Sequence, residues 1–72
     1  MNVISTTKKS REGNDCLIND SYHLCEEYGM YFVLKVTRVT GWPDYKDISV
    51  VCNATPEKAI AEKAYVNVGG VL

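Results

Sequence analysis

His23 carries the only imidazole of this chain and lies two positions from the thiol of Cys25. Nucleophilic catalysis by cysteine needs a thiol beside a base, and residues two apart on a strand share a face. A working site also needs a third group to hold the base, and residues two apart on a strand are commonplace. The pair therefore reads as a histidine beside a core thiol. Adding Cys16 and Cys52 makes a Cys3His set of the kind zinc uses, but structural zinc ligands come as closely spaced pairs and no C-x2-C occurs. The cysteines read instead as small core fillers, and no metal or other cofactor is expected.

General acid–base chemistry requires a carboxyl group lifted in pKa by an apolar pocket. Glu26 and Glu27 are adjacent, so on a strand they face opposite ways, and Asp44 and Asp47 fall in a stretch that reads as an exposed turn. Gly69-Gly70 follows a helical segment instead of opening one, the wrong order for a phosphate cradle. An enzyme is not expected.

Binding to nucleic acid would normally show as a basic surplus, because phosphate neutralisation supplies most of the affinity. The 72 residues hold 8 basic and 9 acidic side chains, a net charge of −1. Lys8, Lys9 and Arg11 form the one local basic cluster. A nucleic-acid-contacting regulator would need these to converge with Lys35 and Arg38. The N-terminal MNVISTTKKSREGND lacks the continuous apolar segment of a secretory signal, and no run nears the roughly 20 residues that span a bilayer. The expected setting is cytoplasmic, without membrane contact.

These side chains must be positioned by a small scaffold, one domain over residues 1–72. Residues 2–7 (NVISTT) read as a first strand, and 8–14 (KKSREGN) as a loop. Residues 15–29 admit two readings. As a helix, Asp20 caps and Gly29 terminates, with Leu17, Leu24 and Tyr28 along one side. As strand, which the uneven apolar spacing favours, Asn19-Asp20 turns a short hairpin, with Tyr22 and Leu24 on one face and His23 and Cys25 on the other. Residues 30–39 (MYFVLKVTRV) alternate clearly: Met30, Phe32, Leu34 and Val36 form an apolar face expected to be the core. Tyr31, Val33, Lys35, Thr37 and Val39 form a mixed outer face. A turn-rich connection, TGWPDYKD, precedes a last strand at 48–53, with Ile48, Val50 and Cys52 inward. Thr55-Pro56-Glu57 then opens a helix to about Asn67, its apolar side built from Ile60, Ala61, Ala64, Tyr65 and Val68. The expected fold is α+β: a small antiparallel sheet in the order β-β-β-α, with one C-terminal helix packed on one face.

Exposed aromatic residues are enriched at binding hot spots. Trp42 and Tyr45 at the loop, with Tyr31 and Val33 on the outer face, are the candidate protein-binding residues. An outer face this apolar is expected to be covered by another protein or by a second copy. Tyr28-Gly29-Met30 opening a strand, Asp47-Ile48-Ser49, and Pro56-Glu57-Lys58-Ala59 opening a helix together resemble a small, functionally uncharacterised Firmicutes domain family. The resemblance spans roughly residues 22–68 and implies a bacterial, non-secreted protein, with no activity, ligand or site attached. The chain departs from that pattern in the longer interval between Ile48-Ser49 and the helix.

Overall fold

The computed structural model describes residues 1–72. Four strands, β1 (Asn2–Glu12), β2 (Leu17–Glu27), β3 (Met30–Val39) and β4 (Trp42–Thr55), precede a helix, α1 (Lys58–Asn67). They form one antiparallel sheet in the order β1-β2-β3-β4, a simple meander. The expected antiparallel sheet with a C-terminal helix on one face is present, with four strands instead of three. Residues 15–29 account for the added strand: they extend as β2 and do not turn at Asn19-Asp20. Tyr22 and Leu24 share one face and His23 and Cys25 the other, as read from the sequence. The reversal comes at Tyr28-Gly29, where φ is 52° and 75°. Positive φ at both central positions defines the two-residue turn that matches strand twist.

Two loops are shorter than the sequence implied. Residues 8–12 continue β1, because each finds a partner from Ser21 to Leu17 on β2. Trp42 and Tyr45 lie in β4 and not at a loop tip, since Thr40-Gly41 alone makes the turn, with Gly41 at φ 87°.

The helix covers the face opposite to the one expected. Leu24, Val33, Ala61 and Tyr65 form the fully buried cluster, with Tyr22, Tyr31, Val51, Cys52 and Ala64 packed against it. Thus the odd-numbered residues of β3 face the core, while Leu34, Val36, Ile48 and Val50 lie on the open side. Val33 pairs with Cys52 but Leu34 with Val50, so Val51 is an extra residue in β4. That bulge turns both Val51 and Cys52 towards the helix, and Cys52 keeps its expected inward place while Ile48 and Val50 do not.

Helix α1 begins at Lys58, after Thr55 Oγ1 accepts a hydrogen bond from the Glu57 amide at 3.2 Å. Ala61 and Tyr65 are its buried residues, whereas Ile60 is 50 % exposed. The apolar stripe is Ala61, Ala64, Tyr65 and Val68, rotated from the broader one expected around Ile60. At the other end the amides of Gly69 and Gly70 bond to the carbonyls of Val66 and Tyr65, both at 2.9 Å. With Gly69 at φ 91° this is the Schellman arrangement. Lys9 Nζ donates to the Val68 carbonyl at 2.8 Å, placing a cation at the negative end of the helix.

The molecule measures 41 × 22 × 15 Å, and its Cα radius of gyration is 13.0 Å. A compact domain of this length would have a radius of about 11 Å. Its surface of 4888 Å² likewise exceeds the about 4,450 Å² typical of an 8.0 kDa monomer. A ten-residue helix is only about 15 Å long, so it leaves much of a long sheet bare. No helix is long and apolar enough to cross a membrane.

Candidate docking surface

The bare face is built by cross-strand pairing. Val3 opposes Cys25, Cys25 opposes Phe32, His23 opposes Leu34, Leu34 opposes Val50, and Val36 opposes Ile48. Residues opposite one another point to the same side. Met1, Val3, His23, Cys25, Leu34, Val36, Lys46 and Ile48 line a shallow hollow of about 220 Å³ there. Val3, Ile48 and Val50 are 47 %, 54 % and 58 % exposed. Ile48 and Val50 adjoin Leu34 and Val36 on β3, and Val3 joins them across the hollow, a grouping unlike the scattered apolar residues any surface carries. Lys46 and His23 are the polar side chains of the hollow itself.

The reactive-looking residues are not assembled. The His23 ring nitrogen Nδ1 shares a hydrogen bond with Thr6 Oγ1 at 3.0 Å, while Cys25 Sγ points to the His23 carbonyl at 3.7 Å. Thiol and ring therefore do not bond to each other. Cys25 is fully buried, and that burial pushes its thiol pKa up, with the N-terminal ammonium pulling weakly the other way. A raised thiol pKa lowers the thiolate fraction, the reverse of what a nucleophile needs. Cys16 lies at the β1–β2 turn and Cys52 on the helix side, so the four candidate zinc ligands are divided among three places. No cluster of three metal-binding side chains occurs.

The basic residues are divided too. Lys9, Arg11 and Lys35 belong to the helix side of the sheet, Lys8 and Arg38 to the open side, by the pairing of Lys9 with Asp20 and Lys8 with Ser21. Arg11 is engaged: its Nε donates to Asp20 Oδ2 at 3.0 Å. Asp20 is 5 % exposed, and Thr37 Oγ1 donates to its other oxygen at 2.7 Å. Burial by itself raises the Asp20 pKa. The hydrogen bonds from Thr37 and Arg11, with the charges of Lys35 and Arg11, overcome it and hold the carboxyl below its ordinary value.

Of the four binding residues expected from the sequence, Val33 is fully buried beneath the helix and offers no surface. Tyr31 is half-buried on the same side, with Lys58 Nζ 6.0 Å from its ring centre. Trp42 and Tyr45 are exposed, at 65 % and 44 %, and line a cleft of about 400 Å³ with Asn14, Asp15, Cys16 and Val39. The structure therefore separates the expected set into a core residue, a core-edge residue and an exposed aromatic pair. The sequence pattern places Ile48, Val50, Leu34 and Val36 inside, whereas they lie on the open face. A single helix, with Ala61 and Tyr65 buried and Ala64 beside them, covers only one face of the sheet. No protein-family model, characterised protein or solved structure matches the chain.

Proposed function

We propose that this chain is a non-enzymatic protein-binding module that self-associates by stacking the open faces of two sheets. The observation that supports it is the contiguous apolar patch of Val3, Leu34, Val36, Ile48 and Val50, which nothing in the fold covers. Sheets stack about 10 Å apart with interdigitating apolar side chains. A two-fold pairing would give helix, sheet, sheet and helix in four layers. The molecule's two longer extents are 41 and 22 Å, so a face of its sheet is of the order of the roughly 800 Å² per partner of a standard stable interface. The three thiols are unpaired, which fits a reducing compartment such as the cytoplasm.

Light scattering coupled to size exclusion, run over a concentration range, tests the proposal. A face-to-face pairing step is expected, and Val50→Glu removes it, because a carboxylate pressed into an apolar sheet-to-sheet contact loses its water. A wild-type protein that stays monomeric at the highest concentration removes the self-association. A Val50→Glu dimer as tight as wild type moves the interface elsewhere.

A further inference from the structure

The two edges of the sheet differ in charge, and their registers match. Following the pairing across the sheet, Lys9 lies opposite Asp20, Asp20 opposite Thr37, and Thr37 opposite Asp47. The neighbouring row runs from Thr7 through Tyr22 and Lys35 to Ser49. Each row thus starts on the β1 edge and ends on the β4 edge. Four strands in a meander leave β4 antiparallel to β1. A copy carried sideways across the sheet without reversal therefore presents its β1 antiparallel to β4, with the same face up. In that position Lys9 of the next copy stands opposite Asp47, and its Thr7 opposite Ser49.

We propose that copies of this chain also join edge to edge, β4 of one against β1 of the next, with Lys9 and Asp47 setting the register. Unpaired edge strands present a ready row of N–H and C=O groups. Both strands are regular where they would meet: the β1 irregularity lies between Val3 and Ser5, and β4 pairs evenly over Asp47–Val50. Asp47 is exposed and forms no ion pair in its own chain, since the two ion pairs present are Met1–Glu27 and Arg11–Asp20. Lys9 spends one of its three ammonium donors on the Val68 carbonyl and keeps two. The alternative, β4 against β4 through a two-fold axis, does not satisfy Asp47. Facing residues share a side of the sheet, so Asp47 would meet an odd-numbered residue, and Lys46 is the only base in β4. The body of the helix lies over β2, β3 and β4; its end and the residues after it bond to the side chains of Ser5, Thr7 and Lys9, and no backbone hydrogen bond is made to the outer edge of β1.

This joint is independent of face stacking and differs from it in outcome. Stacking closes at two copies, whereas head-to-tail joining goes on beyond two, to a closed ring or an open filament. The experiment is sedimentation velocity at low salt with Lys9→Asp, Asp47→Lys and their equimolar mixture, folding being checked by circular dichroism. Wild type is expected to grow beyond two copies with concentration, and each variant alone to associate at least about tenfold more weakly, from like charges set face to face. The mixture restores growth, because each variant then supplies the edge the other lacks. If Lys9→Asp does not fold, Asp47→Lys alone decides, as its side chain supports nothing in its own chain. Growth of Asp47→Lys indistinguishable from wild type, a mixture that stays as small as its components, or a wild type that stops at one or two copies overturns the proposal.

Discussion

Asp20 is the one nearly buried charge of this molecule, and its environment has a consequence that depends on pH. Its carboxylate accepts from Thr37 and Arg11, and its folded pKa lies below that of an ordinary aspartate. A depressed folded value contributes stability that is complete above the unfolded pKa and is lost as pH falls through the folded one. Wild type should therefore lose stability below about pH 4, and Asp20→Asn should lose less over the same range. At pH 7 the substitution is expected to cost about 1–3 kcal/mol, the worth of hydrogen bonds to a charged group. Urea unfolding at pH 7 and pH 3 measures both. Parallel losses for the two proteins would show that Asp20 is not the responsible carboxylate. The asparagine–aspartate pair at 19–20 looked like a turn in the sequence. Nothing local reveals that an acid in a strand will be matched by Thr37 and Arg11 from the strands on either side.

The elements were legible to different degrees, for physical reasons. The Gly69-Gly70 helix end was visible because only glycine takes the left-handed conformation without cost. The role of Gly70 was not, since it depends on where Tyr65 packs. Tyr65 is fully buried, its hydroxyl bonded to Thr7 Oγ1 at 2.6 Å, and a Cβ on Gly70 would overlap its ring. That ring is pinned at both ends and cannot yield. Gly70→Ala is expected to destabilise by about 1–3 kcal/mol, as overpacking does. The same change in an open turn, Gly41→Ala, meets no atom and bears only the left-handed strain of about 1–2 kcal/mol. Thermal melts of both, with Tyr65→Ala/Gly70→Ala as the test of coupling, separate the causes: additive losses would mean that the ring is not what Gly70 accommodates. Strand β3 was recognised from its alternation, yet its two faces were exchanged. Its even face is apolar from Met30 to Val36 and its odd face mixed, so the strand alone points the wrong way. The choice is made by neighbours. Leu24 from β2 and the bulged Val51 and Cys52 from β4 complete the odd face, while Tyr22 and Tyr31 bury their rings and keep polar tips.

At the scale of the molecule, the small core and the large bare face make stability and association one problem. Four side chains form the fully buried cluster, and the surface exceeds that of a compact monomer of this mass. A chain so built has little margin alone, and anything that binds only the folded form raises its melting temperature by mass action. For a dimer, a tenfold rise in concentration adds about 1.4 kcal/mol shared by two chains, or roughly 0.7 kcal/mol each. In a domain of this length 1 kcal/mol moves the melting temperature by about 4–8 °C. Wild type should therefore gain about 3–6 °C for each tenfold increase, followed by circular dichroism from micromolar to millimolar chain. Val50→Glu should gain less per tenfold increase, keeping only what the edge joint supplies, and should melt below wild type most clearly at the high end. Val50 is 58 % exposed in the single chain, so its replacement removes little from the fold itself. A concentration-independent wild-type melt would leave the bare face without a self-partner. A concentration-dependent melt that persists in Val50→Glu and vanishes in Asp47→Lys would assign the extra stability to the sheet edge, because Asp47 touches the proposed joint and not the stacked face.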